Sequence, residues 1–159
     1  LGLGMVPPTV ERKYKGDTGS LQLWVENVTR LKGKDPKLAP DVNAWNRQVH
    51  RQRVWDALTA NIDRNAGNLL VDPAWNLILI DHSRACANDR MPFEKEMTRI
   101  DRAFFERLKA LDEASVMKHV RPWVLGDGTA RAILKRRDKI VAHFEKLAQE
   151  RGEAVVFPF

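Results

Sequence analysis

The spacing of apolar positions predicts a helix over residues 41–61, DVNAWNRQVHRQRVWDALTAN. Asp41 is placed to cap its N-terminus, and Val54, Ala57 and Leu58 mark the side that faces the core. The basic residues spread round the other side, where such charges usually form a solvated face and can also attract phosphate or an acidic substrate. They are Arg47, His50, Arg51 and Arg53. A solvated face is the favoured interpretation.

Three more helices are predicted in the C-terminal half, where apolar residues again recur at helical spacing. Thr98 is placed to cap RIDRAFFERLKAL, and Asp112 is placed to cap EASVMKHVRPW. A long helix then begins at Asp127 or Thr129 and ends at Gly152. These helices are expected to bury the main core of the domain.

Between the first helix and these three lie two short apolar runs, LLVD and NLILID, which read as buried strands. Residues 72–76, DPAWN, join them and contain Pro and Asn as turn formers. A hairpin of this kind brings Asn68, before the first strand, close to Asp81, after the second. The pattern therefore predicts a hairpin whose open end carries an amide and a carboxylate.

Asp63, Asn68 and Asp81 follow the order D-x-x-x-x-N, hairpin, D of a kinase catalytic loop and its metal-binding aspartate. Phosphoryl transfer needs a carboxylate to orient or deprotonate the attacking hydroxyl, and hard oxygen ligands to hold magnesium. Asp63 suits the first role, and the other two suit the second. The alternative is a purely structural hairpin, because Asp and Asn are common in loops. A calcium-binding EF-hand loop is excluded, since its sixth position would be Asn68 instead of Gly and its twelfth Ala74 instead of Glu.

The chain resembles bacterial proteins of the phosphatidylinositol 3- and 4-kinase-like group, relatives of the atypical protein kinases. The resemblance lies in residues 4–26, GMVPPTVERKYKGDTGSLQLWVE, and in residues 61–83, NIDRNAGNLLVDPAWNLILIDHS. The resemblance implies an α+β fold: a protein-kinase-like C-terminal lobe, mostly helical, with an N-terminal β-hairpin and a catalytic-loop β-hairpin. Residues 1–30 would be the end of the N-terminal lobe and the hinge, and residues 31–159 the helical C-terminal lobe of one domain.

The resemblance also implies a site for ATP and Mg²⁺. Asp63 would be the catalytic residue, with Asn68 and Asp81 as the metal ligands. Adenine would dock between the hinge and two apolar side chains beneath the base. The hinge residues would be Trp24, Val25 and Glu26, and those beneath the base Leu70 and Ile80.

The chain departs from the kinase pattern in several places. Protein kinases have His-Arg before the catalytic aspartate and Phe-Gly after the metal aspartate, whereas residues 61–62 are Asn-Ile and residues 82–83 are His-Ser. Asn65 stands where relatives carry a lysine or histidine, so Arg64 is expected to supply the missing charge. The sequence contains no glycine-rich phosphate loop, because Leu1-Gly2-Leu3-Gly4 lacks a preceding strand and leads into Val-Pro-Pro.

Two functions are therefore open. One is an ATP-dependent phosphotransferase that transfers the γ-phosphoryl of Mg-ATP to a hydroxyl on a protein, lipid or small molecule when a complete N-terminal lobe is present. The other is a pseudokinase or interaction module that keeps the fold without catalysis. By themselves these residues are expected to bind Mg-ATP weakly and transfer no phosphoryl group. The N-terminal hairpin is expected to expose an apolar face or an unpaired edge and to mediate a homodimer.

Composition narrows the classes of partner. The 159 residues are 43% hydrophobic and contain no apolar run of the ~20 residues that a membrane span requires. The single cysteine, Cys86, allows no internal disulfide and suits the cytoplasm. Despite the net charge of +6, nucleic-acid binding is not expected, since 21 acidic residues are interleaved with 27 basic ones.

Overall fold

The computed structural model describes residues 1–86, 91–120 and 127–159, and it is an α+β structure. Its strands are β1 (Thr9–Tyr14), β2 (Asp17–Gln22), β3 (Thr29–Arg30), β4 (Leu69–Val71) and β5 (Leu77–Leu79). Its helices are α1 (Val42–Thr59), α2 (Arg102–Lys109), α3 (Glu113–Val120), α4 (Asp127–Arg151) and α5 (Glu153–Val156). The predicted mixed fold class is thereby confirmed at this level.

Strands β1 and β2 form an antiparallel hairpin of two strands, in which Tyr14 pairs with Asp17. The two residues between them, Lys15 and Gly16, both have positive φ, at 49° and 97°. This geometry matches the right-handed twist of the flanking strands, as two-residue hairpin turns require. Almost every residue of the hairpin is exposed, because its strands pair only with each other.

Strands β3, β4 and β5 form a second antiparallel sheet in that order. The strands predicted from LLVD and NLILID are confirmed as β4 and β5, and Leu69 pairs with Leu79. The Leu79 amide also donates to the carbonyl of Met5, so the N-terminal segment covers the free edge of β5. The side chains of one face are buried against α1: they are Leu69, Val71, Leu77 and Leu79.

The predicted helix starts are mostly confirmed. Asp41 caps α1 by accepting from the Ala44 amide, and the Asp112 carboxylate accepts from the Ser115 amide at the start of α3. The prediction that Thr98 caps the next helix is wrong, because α2 begins after Asp101. The Asp101 carboxylate accepts from the Phe104 amide at 2.9 Å. Between Thr98 and this cap, Arg99 is exposed and Ile100 is fully buried in the core.

The predicted long helix is confirmed as α4, which begins at Asp127. It ends before Gly152, whose φ of 85° suits glycine, and the Gly152 amide donates to the carbonyl of Ala148. The end of the predicted segment EASVMKHVRPW lies outside the described residues, since α3 is described as far as Val120.

The solvated face predicted for α1 is only partly present. Arg47 is exposed, but His50 is buried beside Phe159, and Arg51 forms an ion pair with the buried carboxylate of Asp101. The reason is that α1 packs against the sheet on one side and against the C-terminal helices on the other. A helix between two layers buries more of its circumference than its apolar stripe predicts.

Two hydrophobic clusters flank α1. The larger joins Val54, Ala57 and Leu58 of α1 to the helices of the C-terminal half, including Phe104 and Phe144. The smaller joins Trp45 of α1 to β4 and β5. Helix α1 therefore connects the helical core to the sheet that carries the predicted site. Among the helices described, none combines the length and the apolarity that crossing a membrane requires.

Candidate active site

The loop that carries Asp63 begins where α1 ends. Ala60 has a φ of 52°, and the amide of Asn61 returns to the carbonyl of Asp56 at 2.8 Å. A short 3-10 helix, Ala66–Asn68, then leads into β4, and the side chain of Asn65 caps it by accepting from the Gly67 amide. The loop is thus closed by local hydrogen bonds at both ends.

Asp63 and Asn68 are brought together by this loop. The carboxylate of Asp63 is exposed, while its backbone carbonyl accepts from the side-chain amide of Asn68 at 3.2 Å. The same carbonyl accepts from the side-chain amide of Asn65, also at 3.2 Å. Because the nitrogen of the Asn68 amide is engaged, its oxygen is the atom that can serve as a metal ligand.

Asp81 lies at the same end of the hairpin as Asn68. The amide of Ile80 donates to the carbonyl of Asn68 at 3.2 Å, and Asp81 follows directly. Asp81 is exposed and has a φ of 54°, an uncommon conformation that for residues other than glycine often occurs at functional sites. Hydrogen bonds from the hydroxyl and the amide of Ser83 hold the pKa of Asp81 below its usual value. This carboxylate is therefore charged at neutral pH.

Arg64, expected to supply the missing charge, faces the interior of the fold, and its charge contributes only a smaller part of the lowered pKa of Asp81. Only 2% of its side chain is exposed, and it forms a two-pronged ion pair with the fully buried Asp56 of α1. It also donates to the carbonyls of Asn68 and Ile80. Its guanidinium thus binds the Asp56 carboxylate and two backbone carbonyls of the fold.

A buried polar network that the sequence analysis missed surrounds Arg64. The Asp56 carboxylate accepts from Gln52, Asn61 and Arg64, which satisfies both of its oxygens. Local pattern could not have revealed it. At 3.6 residues per turn, Asp56 lies on the side of α1 opposite Val54 and Leu58, where a charged residue is usually solvated.

His82 belongs to the same network. Its Nε2 atom lies 3.2 Å from the indole Nε1 of Trp55 and 3.0 Å from Nη2 of Arg64, and both of these are donors. Nε2 therefore accepts, and the imidazole carries its proton on Nδ1. Burial, and then the neighbouring charge of Arg64, lower the pKa of His82, so the ring is neutral at neutral pH.

The residues predicted to hold the nucleotide occupy the neighbouring sheet and the segment before it. Leu70 pairs with Ile78, and Leu70 and Ile80 are both half-buried. The predicted hinge, residues 24–26, follows β2 and leads into β3, where Arg30 pairs with Leu70. Within the hinge, the Trp24 side chain is 84% exposed and Val25 is half-buried.

The chemistry of Asn68 and Asp81 fits magnesium. The ion prefers oxygen ligands, keeps several waters, and is commonly held by one or two protein side chains together with substrate phosphates. Within the described ranges, no group of three or more His, Cys, Asp or Glu side chains is gathered in the way a site made only of protein ligands needs. A pair of oxygen ligands at a hairpin end thus matches a site that metal and phosphates complete together.

Comparison of the chain with protein-family models and with curated protein sequences finds no match. The function must therefore be argued from the site itself.

Proposed function

We propose that residues 61–83 form the metal-binding and catalytic loop of an ATP-dependent phosphotransferase of the kinase-like type. The acceptor is a hydroxyl group of a protein, lipid or small molecule. The observation that carries the proposal is the convergence of Asp63, Asn68 and Asp81 at one end of the β4–β5 hairpin, with an Asn68 side-chain bond to Asp63 and a backbone bond to Ile80.

Each residue has a defined task in this proposal. Asp63, with its exposed carboxylate, accepts a hydrogen bond from the acceptor hydroxyl and orients it for attack. Asn68 and Asp81 would hold Mg²⁺, which would neutralise charge on the phosphates. Asp81 suits this task because its low pKa keeps it anionic and ready to bind a cation. The phosphate loop and the lysine that complete a kinase site would come from a full N-terminal lobe.

An interaction module is the second candidate, and a different observation favours it. The β1–β2 hairpin presents apolar side chains to solvent on one face, with Val10 42%, Leu21 59% and Tyr14 72% exposed. Register places these three on the same face, since Val10 pairs with Leu21 and Tyr14 is four residues beyond Val10. In this case the fold presents the hairpin to a partner, and Mg-ATP does not bind.

Calorimetric titration with Mg-ATP separates the two candidates. We expect weak binding by the wild-type chain and loss of that binding in Asp81→Ala, because a metal ligand is removed. Asp63→Asn should retain binding, since Asp63 orients the acceptor and does not hold the metal.

The hairpin itself supplies a matched control. Asp72 lies at its opposite end, where its carboxylate accepts from the amide and the side chain of Asn76. Asp72→Ala removes a carboxylate from the same hairpin without touching the proposed site, so Mg-ATP binding should be unchanged. Binding that survives Asp81→Ala, or that is lost equally in Asp72→Ala, would remove the metal assignment.

A further inference from the structure

The buried guanidinium of Arg64 contacts the two chain segments that form the open end of the β4–β5 hairpin, the end that carries Asn68 and Asp81. Its Nη1 atom donates to the Asn68 carbonyl at 3.0 Å and to the Ile80 carbonyl at 2.7 Å. Because one nitrogen binds both oxygens, these two carbonyls lie within about 6 Å of each other. Arg64 therefore sets the spacing between the residue Asn68 and the residue that precedes Asp81.

The guanidinium is itself held rigidly on the other side. Nε and Nη2 of Arg64 bind the two oxygens of Asp56 at 2.9 and 3.0 Å, which is the bidentate geometry that fits a planar guanidinium. Asp56 is fully buried on α1, and Gln52 and Asn61 donate to the same carboxylate. The position of Arg64 is consequently fixed relative to α1.

The residue after Asp81 is fixed by the same group. Nη2 of Arg64 lies 3.0 Å from Nε2 of His82, and the indole of Trp55 on α1 donates to that nitrogen as well. Arg64 thus contacts the residue before Asp81 through a carbonyl and the residue after it through a side chain. Asp81 is held between two anchored neighbours in its positive-φ conformation.

We propose that Arg64 is the positioning residue of the magnesium site, and that it sets the separation of Asn68 and Asp81 through their backbones. The proposal rests on the proposed function for the identity of the ligands. The role requires arginine in particular. Only a guanidinium can bind a carboxylate through Nε and Nη2 and at the same time donate from Nη1 to two carbonyls. Lysine keeps the charge but cannot make this set of contacts.

Arg64→Lys tests the proposal, with Arg51→Lys as the matched control. Arg51, on α1, likewise pairs with a buried aspartate, Asp101, but lies away from the open end of the hairpin. Two quantities are measured: Mg-ATP affinity, and the hydrogen-exchange rate of the Ile80 amide, which donates to Asn68. We expect Arg64→Lys to lower the affinity by about 10- to 100-fold, as loss of an outer-shell partner does at metal sites. It should also speed exchange at Ile80, whereas Arg51→Lys should change neither.

Circular dichroism establishes that the variants are folded. If Arg64→Lys unfolds, the double variant Asp56→Asn/Arg64→Gln replaces it, because it removes both buried charges together and leaves neither unpaired. Affinity and exchange equal to wild type in the folded variant would overturn the proposal.

Failure of the proposed function would look different. If the wild-type chain binds no Mg-ATP, the phosphotransferase proposal falls, and exchange at Ile80 decides the role of Arg64 alone. Faster exchange in the Arg64 variant would then support its positioning of the hairpin ends, and unchanged exchange would overturn it.

Discussion

Replacement of Asp56 by asparagine should destabilise the fold more than the loss of a surface ion pair does. Asp56 is fully buried, and its carboxylate accepts hydrogen bonds from Gln52, Asn61 and Arg64. Asparagine has nearly the same shape, but it has a donor nitrogen where aspartate has its second acceptor oxygen. That nitrogen would face the N–H donors of these partners. It also leaves the guanidinium of Arg64 buried without a counter-charge.

The structure allows the magnitude to be estimated. Breaking a buried ion pair by removing one partner costs about 3–5 kcal/mol, because an uncompensated charge stays behind. Only 2% of the Arg64 side chain is exposed and none of the Asp56 side chain, so solvent screens the pair little. Against the roughly 5–15 kcal/mol that stabilises a typical domain, this is a large share of the total.

Urea unfolding followed by tryptophan fluorescence measures the effect, since the chain contains five tryptophans. With a denaturant slope of about 2 kcal/mol per molar, the expected loss shifts the midpoint down by roughly 1.5–2.5 M. The slope itself should stay the same, because the folded state buries the same surface.

Glu153→Gln is the control for this prediction. Glu153 pairs with Arg102 at 2.8 Å, but their side chains are 71% and 42% exposed. Solvent screening reduces such a pair to less than about 1 kcal/mol. If Asp56→Asn shifts the midpoint no more than Glu153→Gln does, the argument that the buried network holds the site loop to α1 is refuted.

Two further predictions concern His50 and Gly152. Burial, and then the charges of Arg53 and Arg99, lower the pKa of His50 to about 4. As the pH is lowered, the unfolded chain therefore binds a proton at His50 before the folded protein does, and stability falls between pH 6.5 and pH 4. In melting curves between pH 7 and pH 4.5, His50→Leu should lose part of this dependence, and an unchanged pH profile would contradict the assignment. Gly152→Ala should cost about 1–3 kcal/mol in thermal unfolding, because its φ is 85°. Gly128→Ala, in the first turn of α4 with open space around it, should instead stabilise by about 0.4–1 kcal/mol, and equal effects would contradict the backbone argument.

Local pattern was enough to predict the elements that carry the site. The helix capped by Asp41, the two strands of the hairpin and the stop at Gly152 depend on periodicity, capping and turn chemistry, all of which act between residues near each other in the chain. The order of Asp63, Asn68 and Asp81 likewise placed the latter two at one end of that hairpin, because two strands joined by a short turn leave no other arrangement.

Tertiary structure decided what those elements pack against. Asp101 caps α2 in place of Thr98, and Ile100 before it is buried in the core with its amide bonded to the carbonyl of Val156, a residue distant in sequence. His50, predicted on a solvated face, is buried because α1 lies between two layers.

The role of Arg64 shows the same division most clearly. From the sequence it is a charged residue beside Asp63, well placed to face a phosphate. In the structure it turns inward to Asp56 and to the carbonyls of Asn68 and Ile80. Sequence determines which groups are present and how far apart they lie along the chain. Which of them face solvent is settled only when α1 and the hairpin meet, because an acidic side chain buried by that packing must find a cation.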